Sequence, residues 1–369
     1  MQHINKLYRD YGPLYPIERF CPVDKALFID IETTGLQKES TSLYLIGCGH
    51  YTDEGFLTEL FFADSEDEEE MLMREFSSYV KDYTHMFHFN GMKFDVPYLL
   101  YKADQYGIEG LFDGIGQVDV YRLAAPLRQL LFPESMRQKA IESFLKIDRE
   151  DTFSGKELID VYKRYEQVHD DELLDALITH NREDVLGMHL IMPIMSYLDF
   201  MDADIKYEGY KVNCYTDYNG NECSEVLFSY KTSVSFPVSF VSKTESMFLK
   251  ASADSGKITI RLPIYRTEMK LFYDNYRDYC YLPDEDMAIL KELTSSMPKN
   301  RYHKATKENC YRKMSGEFIK QPESLFTPVF RTEYKDKKKY FMFPDSFRKE
   351  AAEDFGRQLI NVFFKMKRR

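Results

Sequence analysis

The 369-residue sequence has no tryptophan and only six cysteines, none of them in a CxxC pair or at zinc-ligand spacing. We therefore expect reduced thiols, not a disulfide framework. No apolar run approaches the roughly 20 residues that a membrane helix needs, and the first residues lack the apolar stretch of a signal peptide. A GxxxxGK[ST] phosphate loop is also missing, which argues against a fused ATP-driven motor. These absences predict a cytoplasmic protein that does not enter a membrane.

Charge is distributed unevenly along the chain. Residues 1–200 carry 19 Lys and Arg against 37 Asp and Glu, a difference of −18, whereas residues 201–369 carry 30 against 24, a difference of +6. An acidic half that concentrates carboxylates suits divalent cations, and a basic half rich in Tyr and Phe suits a polyanion. Residues 287–369 hold 20 basic against 10 acidic side chains and could bind phosphates and unpaired bases. The alternative is a solvated charged face beside an aromatic core.

Hydrophobic periodicity and turn residues divide the sequence into three parts. We predict an N-terminal extension over residues 1–23, an α/β domain over 24–200 and a basic, aromatic-rich domain over 201–369. In the α/β domain, consecutive hairpin strands followed by alternating strands and helices predict a mixed sheet flanked by helices. The last part alternates apolar and polar residues, which predicts a mainly antiparallel β (α+β) domain with a final helix over 347–367.

The first candidate functional residues are Asp30 and Glu32, at the end of an otherwise apolar strand. Strand alternation puts both carboxylates on the same face. Two acids that point together from a buried strand repel each other and lose solvation, so we expect a cation between them. The alternative is a chance Asp-x-Glu at a strand edge.

Two further acidic positions follow later in the sequence. Asp95 comes after an Asn90-Gly91 turn, and Pro97 suits the first turn of the next helix, so Asp95 lies near a helix N-terminus or simply caps it. His180 and Asp184 are four residues apart on a long amphipathic helix and therefore share a face. An ordinary surface pair is the alternative for these two.

Taken together, these motifs resemble a known family. The strings FIDIETTG at 28–35 and FNGMKFD at 89–95, followed by Asp184 on a late helix, resemble the DEDD exonuclease branch of the ribonuclease H-like superfamily. The resemblance covers residues 24–193. It implies a ribonuclease H-like mixed sheet and a 3′–5′ exonuclease that cleaves single-stranded DNA or RNA with two Mg²⁺ or Mn²⁺ ions.

The resemblance also implies roles for individual residues. Asp30 would bridge both metals, Glu32 and Asp184 would complete one site, and Asp95 would support the other. The terminal nucleotide would be held at four residues: Thr33, Thr34, Gly35 and Asn90.

His180 departs from the family pattern. Family members place either a Tyr with three intervening residues or a His with four before the last Asp, whereas here a His has the Tyr-type spacing. His180 is thus either a general base or a packed or capping residue. Two other functions are the alternatives. One is a catalytically inactive nucleic-acid-binding module, which has no reason to bury four acids. The other is a non-nucleic metallohydrolase, which the sequence does not support because it has no His-rich ligand set or nucleophile motif.

Overall fold

The computed structural model describes residues 1–131, 135–151, 153 and 155–365. The chain divides into two compact units. The first comprises Met1–Arg128, the described residues of 135–198 and Phe236–Val238, and the second comprises Gln129–Leu131, Asp199–Ser235 and residues 239–365. The sequence predicted a boundary after residue 200, and the main division falls after Leu198.

The first unit is built on a mixed sheet. Its strands are β1 (Gln2–Arg9), β2 (Ala26–Thr33), β3 (Leu43–Thr52), β4 (Gly55–Phe62), β5 (His85–His88) and β6 (Gly116–Asp119). Among the described residues, the strand order is β1-β4-β3-β2-β5-β6. β2 pairs antiparallel with β3 and parallel with β5, so the predicted mixed sheet is confirmed. β2 lies inside this sheet, which explains why its first half is wholly apolar.

The first strand corrects the expectation for residues 1–23. This segment is not simply an extension, because β1 pairs antiparallel with β4 along its whole length, from Gln2 opposite Phe62 to Arg9 opposite Gly55. Its side chains are partly or fully exposed, as is typical of an edge strand. The polar sequence of β1 has no clear strand pattern. Long-range pairing with β4 holds this segment in the sheet, and local sequence does not reveal such pairing.

Helices cover both faces of this sheet. The helices up to residue 202 are α1 (Glu69–Tyr79), α2 (Asp95–Gln105), α3 (Val120–Ala124), α4 (Arg128–Leu131), α5 (Gln138–Leu145), α6 (Gly155–Val168), α7 (Asp171–Ile191) and α8 (Ser196–Asp202). On one face, Ile29 and Ile31 of β2 pack with Phe76 of α1 and Leu99 of α2. On the other face, α6 and α7 pack against β3 and β4. The acidic positions of β2 therefore point to the side where α7 lies.

The second unit is dominated by antiparallel strands, as predicted. The strands are β7 (Ile205–Thr216), β8 (Glu222–Thr232), β9 (Phe240–Lys243), β10 (Phe248–Ala251), β11 (Lys257–Phe272), β12 (Tyr279–Leu282), β13 (Met287–Leu290), β14 (His303–Lys304), β15 (Tyr311–Gln321) and β16 (Lys339–Met342). β11 is the central strand and pairs antiparallel with β8, β10 and β15.

A single long helix completes the second unit in its described part. This helix, α9 (Ala352–Lys365), begins later than the predicted residue 347, and residues 366 and 367 lie outside the described residues. No helix in the described part of the chain has both the length and the apolar character needed to cross a bilayer.

Candidate metal centre

Helix α7 crosses the sheet at close range because β3 has a glycine at the crossing point. A Cβ atom on Gly47 would lie 1.9 Å from Oδ1 of Asn181 and 2.8 Å from a methyl group of Val185, so a larger residue would push the helix away. Gly47 is paired with Asp30 across the two strands. At this point Nδ2 of Asn181 donates a hydrogen bond to Oδ2 of Asp30 at 2.9 Å. The close crossing thus fixes the orientation of the Asp30 carboxylate.

Three side chains from β2 and α7 converge beside Asp30. Nε2 of His180 lies 3.5 Å from Oε1 of Glu32 and 3.3 Å from Oδ2 of Asp184. One ligand atom from each of the three lies within 4.8 Å of the others. The predicted same-face arrangements within β2 and within α7 are therefore both present, and tertiary packing brings the two pairs together.

Asp95 reaches the same cluster from α2. It is the first residue of that helix and follows the turn in which Asn90 adopts a left-handed conformation, with φ of 62°. Burial raises the pKa of Asp95 to about 6, although backbone N–H groups of Asp95 and Ile31 oppose that shift. Its charge acts on both Asp30 and Glu32. The structure therefore assembles the four predicted acids in one electrostatic cluster.

The charges of the four acids are only partly offset by nearby cationic side chains, since Arg149 opposes the shift at Asp30 and Lys139 the shift at Glu32. Burial first, and then the charges of Asp184 and Glu32, raises the pKa of Asp30 well above its usual value. Burial, followed by the charges of Asp184 and Asp95, likewise raises the pKa of Glu32. A divalent cation would remove this repulsion and supply the missing solvation, because carboxylate oxygens are hard ligands that suit Mg²⁺ and Mn²⁺. The donor set therefore fits such an ion.

Sequence reasoning missed two residues of this site, Arg149 and Asp151. Both lie in the loop after α5. Nη1 of Arg149 is 2.7 Å from Oδ1 of Asp184, and Oδ2 of Asp151 is 2.8 Å from Nδ1 of His180. The sequence offers only a run of charged residues at 148–151 as a signal, and such a run is equally typical of a solvated loop.

The loop is held against α7 by hydrogen bonds from its own backbone. The carboxylate of Glu183 accepts the N–H groups of Glu150 and Asp151, each at 2.9 Å. Arg149 also makes two contacts of 3.1 Å with the carboxylate of Glu142, whose side chain is 1% exposed. A sequence segment about 30 residues before His180 thereby becomes part of its surroundings.

The residues predicted to hold the terminal nucleotide are largely engaged in local structure. The hydroxyl of Thr33 donates to the carbonyl of Gly35 at 2.7 Å, and the hydroxyl of Thr34 accepts the N–H of Ser42 at 2.9 Å. The backbone N–H of Asn90 donates to Asp119 at 3.0 Å, while its side-chain oxygen is buried without a hydrogen-bond partner among the described residues. Their role in nucleotide binding stays a prediction.

An open cleft adjoins the acidic cluster. Its volume is about 610 Å³, in the range of small-molecule sites. Asp30, His180 and Asp184 line it together with Arg137 and Lys139 of the α5 region. Cationic side chains thus face the same cleft as the carboxylates, which is the charge distribution that an anionic substrate bound through a metal requires.

The first unit corresponds to a known family model. Residues 27–196 match the model RNase_H_2, described as RNase_H superfamily. The first unit has a ribonuclease H-like fold. The sequence matches no curated protein significantly.

Several solved structures resemble this chain at low identity. The family B DNA polymerase from the hyperthermophilic archaeon Pyrobaculum calidifontis is 18% identical, with a TM-score of 0.40, over 53% of this chain and 29% of that one. E. coli exonuclease I in complex with a dT13 oligonucleotide is 13% identical, with a TM-score of 0.28, over 56% and 54%. An apo exonuclease I is 14% identical, with a TM-score of 0.28, over 62% and 56%. The chain spans less than two thirds of the length of each.

Proposed function

We propose that the chain is a metal-dependent nuclease that hydrolyses phosphodiester bonds of DNA or RNA, as a 3′–5′ exonuclease on single strands. The observation that carries the proposal is the convergence of Asp30, Glu32, Asp95 and Asp184 from three separate elements beside a cleft that also contains basic residues. A purely structural protein gains nothing from bringing four partly buried acids together, since their mutual repulsion costs stability. The 3′–5′ polarity rests on the sequence resemblance alone.

The four carboxylates would hold two Mg²⁺ or Mn²⁺ ions. When bound, these ions neutralise charge on the attacking and leaving oxygens of a phosphodiester. By the resemblance, Asp30 would be the residue shared by the two ions; its carboxylate interacts with the other three acids and is oriented by Asn181. Glu32 and Asp184 lie 3.5 and 3.3 Å from the same nitrogen of His180, and Asp95 comes from the start of α2.

The remaining contacts with substrate would come from the walls of the cleft. Arg137 and Lys139 line it and are exposed, so they can bind phosphate oxygens of the strand. This proposal does not depend on the role of His180, because the four carboxylates alone provide the oxygen ligands that Mg²⁺ and Mn²⁺ prefer.

The proposal is tested with single-stranded DNA and RNA labelled at either end and incubated with the full chain and Mn²⁺ or Mg²⁺. A 3′–5′ exonuclease shortens 5′-labelled strands stepwise and releases label from 3′-labelled strands as mononucleotide. Chelation should stop the reaction, and added metal should restore it. Asp30→Asn should reduce hydrolysis to the rate without protein, whereas Asp67→Asn, an equal change at an exposed acid before α1, should leave it unchanged.

Two results would contradict the proposal. Hydrolysis by Asp30→Asn at the parent rate would show that the acidic cluster is not the active site. Retention of a labelled strand by the parent without cleavage under any metal would favour the alternative, an inactive nucleic-acid-binding module on the same fold.

A further inference from the structure

One face of the antiparallel sheet in the second unit is open and basic. The strands of this part of the sheet lie in the order β7-β8-β11-β10-β9. The other face is covered by α9, where a Cβ atom on Gly356 would lie 2.6 Å from the ring of Tyr230. Residues opposite each other in register point to the same side, so the pairing assigns six exposed lysines to the open face. These are Lys206, Lys211, Lys231, Lys243, Lys250 and Lys257. We call this side of the sheet the basic face.

The charge of the basic face is hidden in the sequence of this segment. Residues 201–286 carry 10 Lys and Arg against 14 Asp and Glu, a difference of −4. Seven of the ten basic side chains, the six lysines and Arg261, nevertheless lie on the basic face. Glu225 is the only acid at the outward, register-paired positions of these described strands. The fold therefore gathers the cations of an acidic segment on one surface.

Three of these lysines lie side by side. Lys231 of β8 is in register with Lys206 of β7 on one side and with Lys257 of β11 on the other. Like charges at directly opposite positions repel each other. Lys270, further along β11, is paired with Glu333 at 2.7 Å, whereas none of the six lysines forms an ion pair with another described residue. The basic face thus carries uncompensated positive charge, which attracts a polyanion.

A cleft of about 500 Å³ is lined in part by the basic face and brings an aromatic ring beside a cation. The guanidinium of Arg261 lies over the ring of Phe248, 4.7 Å from its centroid, and its Nε is 3.5 Å from Oε2 of Glu225. The same carboxylate accepts a hydrogen bond from Nδ2 of Asn213 at 3.0 Å. Arg261 stays 46% exposed, and Tyr215 in the same cleft is 47% exposed. A fixed planar cation beside an open ring can bind a phosphate and stack a base.

We propose that the basic face binds single-stranded nucleic acid, with phosphates held by the lysines and Arg261 and a base stacked on Tyr215. Positive charge alone would suit an acidic protein or an anionic lipid surface equally well. The exposed ring beside the cations favours unpaired bases, because every base has a flat face that can stack on it while the phosphates meet the neighbouring cations. The inference rests on the proposed function only in that the bound strand is the one the metal centre would cleave.

The test is binding of a labelled single strand to the full chain in chelator, so that metal-dependent hydrolysis does not interfere, at several salt concentrations. A variant with Lys206→Gln, Lys231→Gln and Lys257→Gln should bind the strand more weakly. It should also reduce the slope of log K against log salt by about 2, because each of three lost phosphate contacts contributes about 0.7. Urea denaturation should show no loss of stability in this variant, since it removes a repulsion between exposed side chains.

Two further variants separate stacking from net charge. Tyr215→Ala should lower the affinity at least about 5-fold and leave the salt slope unchanged, whereas Tyr215→Phe keeps the ring and should bind as the parent does. The matched charge control replaces Lys81, Lys163 and Arg164, three exposed cations of the first unit, with Gln and should leave affinity and slope unchanged.

The parent's affinity and salt slope in the lysine variant would overturn the inference. Binding of the parent to anionic phospholipid vesicles without binding to the strand would overturn it as well. The two proposals fail separately. Strand binding that depends on the three lysines, without cleavage under any metal, overturns the nuclease. Metal-dependent cleavage by a chain whose lysine variant keeps the parent's salt slope overturns the basic face alone.

Discussion

Helix α7 carries two buried histidines whose surroundings are opposite. His180 is 5% exposed and contacts the carboxylates of Asp151, Glu32 and Asp184. His189 is fully buried among aromatic rings. Its Nδ1 lies 2.9 Å from the hydroxyl of Tyr51, its ring stacks on Phe56 with centroids 4.6 Å apart, and burial lowers its pKa to about 4.

These two histidines show that burial by itself does not indicate a functional residue. Both histidines are on one helix and almost inaccessible to solvent. We call the surroundings of His180 the carboxylate end of α7 and the surroundings of His189 its aromatic end. Of the two, the carboxylate end has lone-pair donors arranged for a cation. At the aromatic end, a neutral imidazole packs as a flat ring with one hydrogen bond. Burial alone therefore does not distinguish the two histidines, whereas the carboxylates around His180 and the aromatic rings around His189 do.

The largest effect on stability is expected at the carboxylate end. Arg149→Leu should lower the free energy of unfolding by about 3–5 kcal/mol, because it leaves the buried carboxylate of Glu142 and the partly exposed carboxylate of Asp184 without their guanidinium partner. Urea denaturation measures this loss. The exposed pair of Arg74 and Glu70 is the control, and Arg74→Leu should cost only about 0.3–0.5 kcal/mol. Equal losses in the two variants would mean that Arg149 stabilises the fold no more than an arginine in an exposed ion pair does.

A smaller, pH-dependent effect is expected at the aromatic end. The folded pKa of His189, about 4, is below the usual 6.5, so the unfolded chain takes up the proton first as pH falls. Its contribution to stability is complete above pH 6.5 and is lost as pH falls toward 4. Between pH 7 and pH 5 the loss is about 2 kcal/mol. His189→Phe should lack this part of the pH dependence; the same slope in parent and variant would contradict the assignment.

A further test asks whether the loop of Asp151 is held by α7. Glu183→Ala removes the acceptor of two backbone N–H groups and should cost about 1–3 kcal/mol. It should also lower the rate of Mn²⁺-dependent strand cleavage under the proposed function, since Asp151 and Arg149 would no longer be fixed against His180 and Asp184. Glu172→Ala, at an exposed acid in the first turn of the same helix, should leave that rate as in the parent. A Glu183 variant with the parent's stability and cleavage rate would show that the loop keeps its position without that anchor.

The smallest effect on stability concerns the basic second unit. Reversing Lys337, Lys338 and Lys339 to Glu should change stability by less than about 0.5 kcal/mol, because these side chains lie at or near the surface. If they bind the strand, each lost phosphate contact reduces the slope of log K against log salt by about 0.7. Binding of a long single strand at several salt concentrations measures that slope. An unchanged slope would make this stretch a solvated face.

Local sequence patterns determined much of the fold and the acidic part of the site. Strand alternation put Asp30 and Glu32 on one face, and helical periodicity put His180 and Asp184 on another, because both patterns depend only on neighbours along the chain. The same periodicities predicted the mixed sheet, a final helix near the end of the chain and the change to antiparallel strands near residue 200.

Only the tertiary structure decided what surrounds those acids. β1 is a strand because β4 pairs with it, and Gly47 matters because a helix more than 130 residues later crosses above it. In the sequence, Arg149 and Asp151 look like part of a solvated loop. In the structure, Glu183 holds that loop beside His180. Such contacts depend on distances between segments far apart in the chain, which no local period encodes. The acids were therefore visible in the sequence, and the groups that orient and neutralise them were not.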